Sequence, residues 1–262
     1  MFAHNAASFD ARLRHRLRIP RIHVPQPLAP GQEVELPLQA GERLARVLRL
    51  ERGSPLRLFC GDGLEYTAEL ASLARRRVTA QVLEALPGVD RESPLRLTLG
   101  QGIARGEKMD WILQKATELG VARIVPLITE RTEVKLDAER AARRMAHWHA
   151  VLASACEQCG RTMLPEFHPP IRLADWAAAL AGAEDTGVRV TLDPEATTRI
   201  RDVMATGSVI LAVGPEGGLS PQDRSRLAQA GFRGINLGPR ILRTETAGLA
   251  ALVALQVLHG DL

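Results

Sequence analysis

The sequence predicts an α/β chain in which a small β-barrel precedes a parallel sheet with helices on both faces. Three observations lead there. From residue 18 to about 86 the apolar pattern is short and extended; residues 87–94 interrupt it with proline, glycine and charge; from 95 onward, extended and helical segments alternate. The expected divisions are a flexible basic arm at 1–17, the barrel at 18–88 and the sheet domain at 89–262.

In the barrel, strands are expected near 19–24, 33–38, 55–60, 65–70 and 77–83. Leu44, Val47 and Leu48 have helical spacing within 40–50, and Gly61-Asp62-Gly63 is a tight hairpin turn. The second domain reads as strand 95–99, helix 107–119, strand 124–127, a long helix from 137 to about 158, strands 187–192 and 208–213, helix 221–230, strand 234–237 and a final helix 244–258. In helix 107–119, Met109, Ile112, Leu113, Ala116 and Leu119 form one stripe, leaving Lys108, Gln114, Lys115 and Glu118 outside it. The final helix is apolar nearly all round, which predicts burial against the sheet on one side and against a second subunit on the other.

With 262 residues and 45% hydrophobic content, the chain can fill two ordinary cores, which excludes disorder as its default state. The net charge of +4 is mostly local, because Arg12, Arg14, Arg16 and Arg18 stand near the N-terminus against Asp10. Lys108, Lys115 and Lys135 are the only lysines; every other basic side chain is arginine, whose planar fork suits phosphate and base edges. A GC-rich genome produces the same bias. Cys60, Cys156 and Cys159 cannot close a disulfide framework, so a reducing cytoplasm is expected. The N-terminus lacks the apolar core of a secretory signal, and the longest apolar run, 247–255, falls well short of the ~20 residues that cross a bilayer.

Four motifs carry chemistry. Gly100-Gln101-Gly102-Ile103-Ala104-Arg105-Gly106 follows a strand and precedes a helix, but its spacing is not that of a dinucleotide-binding fingerprint. Cys156 and Cys159, with His147 and His149 upstream, raise zinc or redox chemistry; on one helix the two histidines diverge, and buried or incidental cysteines are favoured, with no metal. Gly214-Pro215-Glu216-Gly217-Gly218 follows an apolar strand at the edge where α/β sheets bind ligands, and Ser220-Pro221 suits a helix start. The run 237–247 repeats the arrangement after the next strand, with Thr244 or Thr246 placed to cap the last helix.

These segments, with Glu118-Leu119-Gly120 and the stretch from Ala155 to Arg161, resemble the RsmE family of SPOUT-class methyltransferases, which methylate N3 of a uridine in 16S ribosomal RNA of the small ribosomal subunit. The resemblance runs from Arg18-Ile19-Pro20-Arg21 to Gly260-Asp261-Leu262 and does not cover 1–17. It implies a PUA-like, RNA-binding barrel at 18–88 and a SPOUT domain at 89–262 whose parallel sheet is tied in a trefoil knot. It also implies S-adenosyl-L-methionine as cofactor, a homodimer with cofactor at the interface, and 16S ribosomal RNA or the small subunit as partner. Membrane and metal have no part in it.

By position, the resemblance assigns the cofactor to Leu192, Gly214, Glu216, Gly217, Gly218, Leu237, Gly238, Ile241, Leu242, Arg243 and Thr246. Where the family carries a basic residue two places after the counterpart of Asp193, this chain carries Glu195. Uridine N3 must lose a proton before it attacks, and charge then spreads to the flanking carbonyls; Arg243 is the candidate to stabilise that charge, and Glu245 or Glu157 to accept the proton. Arg21, Arg105, Lys108, Lys135 and Arg161 are the candidate RNA contacts. Two rivals stay open: a related enzyme acting on a ribose hydroxyl or transfer RNA, and a non-catalytic RNA-binding assembly factor.

Overall fold

A computed structural model describes residues 19–74, 77–87, 90–133, 138–183 and 187–262. The chain divides into two compact units between Asp90 and Arg91.

The first unit holds β1 (Arg21–His23), β2 (Glu33–Glu35), β3 (Pro55–Phe59), β4 (Leu64–Ala74) and β5 (Arg77–Pro87) in one five-stranded sheet, ordered β1-β3-β4-β5-β2. β1 runs parallel to β3 and the other pairs are antiparallel. Two register shifts, at Thr67/Ala68 and Leu70/Ser72, bend the long β4–β5 hairpin. Alternate residues Leu56, Leu58, Tyr66, Ala68 and Leu70 face a core shared with Ile22, Val34, Leu44 and Val82.

The expected helix starts at α1 (Leu38–Glu42) and continues as a π-turn over Arg43–Val47. That turn shifts the helical phase, so Leu44 is buried while Val47 and Leu48 are exposed, contrary to the predicted stripe. Arg49 then ends the helix with a positive φ of 49°.

The Gly61-Asp62-Gly63 turn joins β3 to β4 as expected, with positive φ at both glycines. Asp62 accepts from the backbone N–H of Leu64 at 3.0 Å and from the Tyr66 hydroxyl at 2.6 Å. That second bond, helped by burial, pushes the Tyr66 pKa up to about 12.

In the second unit β6 (Arg96–Gly102), β7 (Arg123–Ile128), β8 (Glu166–Phe167), β9 (Ile171–Arg172), β10 (Val188–Leu192), β11 (Ser208–Val213) and β12 (Arg233–Ile235) form a sheet ordered β12-β10-β11-β6-β7-β8, with β9 also beside β7. Every ladder is parallel. The crossovers supply α2 (Glu107–Glu118), α3 (Ala138–Cys159), α4 (Leu173–Ala181) and α5 (Pro221–Gln229); α6 (Thr244–His259) follows β12.

Side-chain alternation sorts these into layers. Leu97, Leu99, Val209 and Leu211 pack with Met109 and Ile112 of α2, Leu152 of α3 and Leu252 of α6. On the other face Val125, Leu127, Ile210 and Ala212 meet Trp176 of α4 and Leu227 of α5.

All strands being parallel, the sheet has one carboxyl edge and one amino edge, and burial at the amino edge corrects one expectation. Arg161, expected to contact RNA, is only 3% exposed. Its Nε and Nη2 pair with the Glu92 carboxylate at 3.1 and 2.5 Å, and its Nη1 donates to the carbonyls of Thr117 and Val121, both at 3.0 Å. These partners precede β6 (Glu92), end α2 (Thr117) or lie between α2 and β7 (Val121), so the guanidinium is a buried clasp. Glu157, a candidate proton acceptor, lies in the last turn of α3 beside this clasp. The seven residues of β6, roughly 20 Å of strand, separate that edge from the loop after β11 in the same chain.

Arg161→Ala leaves two carbonyls and the part-buried Glu92 carboxylate without this donor, which destabilises by about 1–3 kcal/mol. Urea unfolding of the variant tests this, and a loss under about 1 kcal/mol contradicts the clasp.

Tyr66 is the only tyrosine, so tyrosinate absorbance reads it directly. The midpoint is expected near 12 and falls toward 10.0 in Asp62→Asn. Since the folded pKa is raised, the stabilisation is complete below pH 10.0, the ordinary tyrosine value, and is lost as pH rises through about 12.

Candidate active site

The carboxyl edge gathers the loops after β6, β7, β10, β11 and β12, where open α/β sheets bind ligands. Its centre depends on two missing side chains in β6. A Cβ at Gly100 would enter the Trp176 ring, and one at Gly102 would lie 2.5 Å from the Pro215 nitrogen. Gly100 and Gly102 therefore admit an indole and a loop, which explains a G-x-G that fits no dinucleotide fingerprint.

Over Gly102 the chain turns tightly, Gly218 N–H donating to the Pro215 carbonyl at 2.8 Å with φ of 66° at Gly218. A Cβ on Gly214 would lie 2.9 Å from the Gly218 backbone. Ser220 then caps α5 as expected, exchanging hydrogen bonds with Asp223, and Pro221 takes the first helical position.

Charges brace this turn. Glu216 accepts from the Arg105 backbone N–H at 3.0 Å and from the Lys108 ammonium at 3.2 Å. Burial would raise its pKa, but these donors outweigh burial and hold the carboxyl below its ordinary value. Arg105 also pairs with Glu133. Arg131 donates to the Gly217 carbonyl at 2.8 Å. The assignment of Glu216 to cofactor is corrected here: its carboxylate is directed to the start of α2.

The segment after β12 runs against the loop after β10. Asn236 N–H donates to the Thr198 carbonyl at 2.9 Å, Ile200 N–H donates to the Asn236 carbonyl at 3.2 Å, and the Asn236 side chain bonds the Ala196 carbonyl. Gly238, with φ of 120°, turns the chain and donates its N–H to Asn236 Oδ1 at 3.2 Å.

Between these segments lies an open concavity. Leu192, Leu237, Gly238 and Leu242 line it from the predicted set, joined by Asp193, Pro194, Ile235, Asn236, Arg240 and Ala247. Gly214, Gly217 and Gly218 are not in this lining; Thr244 ties their loop to it. Glu195 is exposed, its N–H bonded to Asp193 Oδ1 at 3.0 Å.

Thr244 does not cap α6 as predicted, and neither does Thr246. Arg243 occupies the cap position with no side-chain bond, while the buried Thr244 hydroxyl donates to the Gly214 carbonyl at 2.6 Å. Gln101 Nε2 donates to that hydroxyl at 3.1 Å. Gln101 escaped the sequence reading, although its signal is plain: an amide inside the otherwise apolar end of β6. Arg243, Ile241 and Thr246 are exposed beside the concavity, and Glu245 has one buried carboxylate oxygen without a partner.

Of the remaining RNA candidates, Arg105 and Lys108 stand at this edge and Lys135 lies outside the described residues. Arg21, in the first unit, is largely covered: Nε bonds Glu65 at 2.6 Å and the guanidinium lies 4.8 Å from the Phe59 ring centre. Its charge is thereby neutralised locally, which corrects its assignment as a free phosphate contact.

Cys156 is buried with its thiol 3.5 Å from the Met163 carbonyl, and His147 pairs with Asp110. Among the described residues no three metal-ligating side chains converge, and no helix is long and apolar enough to cross a membrane.

Comparison with known proteins places this edge in context. The family model described as an RNA methyltransferase domain matches residues 91–256. Ribosomal RNA small subunit methyltransferase E of Buchnera aphidicola (subspecies Schizaphis graminum) is 34% identical over 246 residues, 94% of this chain and 98% of that protein. The Bacillus subtilis protein of the same name is 33% identical over 83% of this chain and 89% of its own length.

Among solved structures, a putative methyltransferase from Legionella pneumophila in complex with bound SAM superposes with a TM-score of 0.87 at 41% identity, covering 94% of this chain and all of that one. A ribosomal RNA small subunit methyltransferase E from Neisseria gonorrhoeae bound to S-adenosyl methionine gives 0.81 at 40%, covering 93% and 99%. The chain belongs to the ribosomal RNA small subunit methyltransferase E (RsmE) family.

Proposed function

We propose that this protein transfers a methyl group from S-adenosyl-L-methionine to N3 of a uridine in 16S ribosomal RNA, acting as a homodimer on the RNA or the small ribosomal subunit. The observation that carries this reading is the concavity formed by Leu192, Leu237, Gly238 and Leu242 beside Arg243, in a chain of this family. Two relatives at 40% identity or above hold this cofactor. The residues here fit it: leucine side chains offer apolar walls to an adenine ring, and Gly238 brings the main chain to the concavity with no side chain in the way.

When bound, the cofactor supplies a methyl group on a sulfonium. The chain's own residues hold the uridine in line, exclude water and manage one proton and one charge. Arg243, exposed at the start of α6, is placed to stabilise the negative charge that spreads over the uracil carbonyls as the N3 proton leaves. Glu245, one residue past Thr244, is the proton acceptor in this reading. Arg105, Lys108 and Arg131 bring positive charge to the same edge, where RNA phosphates compete with Glu216 and Glu133 for them.

Three structural features belong to the same proposal. The sheet of the first unit is read as a PUA-like barrel for RNA. The bonding of Asn236 to 196–200, with His259 at the far end of α6 bonded to the Val203 carbonyl at 2.8 Å, supports a trefoil-knotted path. The outer face of α6 supports the dimer: Val253 and Val257, one turn apart, are 40% and 60% exposed, and Ile241 near the concavity is 86% exposed.

Mass spectrometry of small-subunit ribosomal RNA from cells with and without the protein tests the reaction; N3-methyluridine that persists at full level after deletion overturns it. In vitro, Arg243→Ala is expected to lower turnover about 100-fold with little change in cofactor affinity. Equal losses in both would make Arg243 a binding residue. Sedimentation tests the dimer: Val253→Glu with Val257→Glu is expected to yield monomers, and an unchanged mass rejects this face as the interface.

A further inference from the structure

We propose that Gln101 is a positioning residue for methyl transfer, acting through Thr244 to hold the first turn of α6 against the 214–218 loop; the inference rests on the methyltransferase reading above. Gln101 has no exposed surface and sits on the sheet face that carries Leu97 and Leu99. An amide is costly in such a place unless its polar atoms are paired.

Its Nε2 donates to the Gly102 carbonyl at 2.9 Å and to Thr244 Oγ1 at 3.1 Å. The orientation is determined, because exchanging the amide atoms would set Oε1 against the Gly102 carbonyl. Thr244, having accepted from Gln101, directs its single hydroxyl proton to the Gly214 carbonyl at 2.6 Å. The result is a one-way chain, amide to hydroxyl to carbonyl, joining the end of β6, the start of α6 and the loop after β11.

A second observation separates positioning from mere stability. Gln101 Oε1 is buried without a hydrogen-bond partner. It faces α6 at Gly248, where a Cβ would lie 3.4 Å from it. An apolar side chain in this slot would carry no unpaired oxygen, but it would also remove the donor to the Gly102 carbonyl and to the Thr244 hydroxyl. What glutamine adds is one N–H that orients Thr244 and a second that anchors the amide on the Gly102 carbonyl. Arg243 and Glu245 flank Thr244, and Leu242 and Ala247 of the concavity lie within three residues of it. A loosened Thr244 therefore displaces the side chains assigned to charge and proton, while the cofactor walls contributed by Leu192, Leu237 and Gly238 stay in place.

The test uses the full chain and compares Gln101→Leu, Thr244→Val, their combination and Thr244→Ser in three measurements: methyl transfer to ribosomal RNA, calorimetric affinity for S-adenosyl-L-methionine, and Tm. Gln101→Leu and Thr244→Val are each expected to lower turnover by about tenfold or more, with cofactor affinity within about threefold of the parent and Tm not lowered in step. The double variant is expected to be no worse than the worse single one, because both break the same chain. Thr244→Ser keeps the hydroxyl and is expected to keep turnover.

Parental turnover in both single variants overturns the inference, as do additive losses or a fall that tracks affinity or Tm. Should Gln101→Leu not fold, Thr244→Val against Thr244→Ser decides alone. A parent protein that neither binds the cofactor nor methylates RNA overturns the methyltransferase reading itself, and the inference with it; an active parent with unaffected variants overturns the inference only.

Discussion

The site depends on a backbone meeting a backbone at the end of β6. Because Gly102 has no side chain, the loop after β11 can lie directly on the central strand, with Pro215 in the space a Cβ would fill. Several features of the carboxyl edge take their position from that contact. It sets where Gly214 presents its carbonyl, hence where the Thr244 hydroxyl must be, hence where α6 begins. It also brings Glu216 to the start of α2, where Arg105 and Lys108 hold it. Close approach of main chains is a geometric requirement before it is an energetic one: no larger residue at 102 leaves the loop in this place.

The two edges of the sheet use charge in opposite ways. At the amino edge, Arg161 is sealed from water and fully engaged by Glu92 and two carbonyls, so its charge contributes to holding strand ends and helix ends together. At the carboxyl edge, Arg105, Lys108 and Arg131 remain exposed or half-exposed, and their partners are carboxylates or a carbonyl in reach of solvent. Ion pairs of the second kind contribute little to stability and exchange partners readily. A cation needed by a polyanion must be of that kind.

This difference explains what could be read before the fold was known. The alternation of elements, the hairpin at Asp62, the cap at Ser220 and the two loops after β11 and β12 were legible because each is encoded by neighbours in the chain. Arg161 was misread because its burial is decided by partners 40 or more residues away, Thr117, Val121 and Glu92. Within the short α1 region, Val47 and Leu48 were assigned inward by a period that the π-turn then shifted. Gln101 was passed over because a single amide in an apolar run carries no period. Its meaning appears only when Thr244, 143 residues later, is seen above it. For the loops themselves, residue type predicted a binding site, whereas the division into a bracing turn at 214–218 and a lined concavity at Leu192, Leu237, Gly238 and Leu242 required coordinates.

Helix α6 joins these strands of argument. Its middle is apolar and packed, through Leu249, Leu252 and Leu255, against the sheet and α2. Both of its ends are held by glutamines: Gln101 fixes the start through Thr244, and Gln256 fixes the last turns by donating to the Leu119 carbonyl at 2.7 Å and accepting from Ser93 at 2.8 Å. Apolar packing alone resists sliding weakly, since it is non-directional. Two directional clamps separated by about three turns remove that freedom, and they do so on the inward face only. The outward face keeps Val253 and Val257 exposed. In the proposed dimer, a subunit seated on that face would press on a helix that cannot shift along its axis, and the first turn, with Arg243 and Glu245, would stay at one depth relative to the concavity.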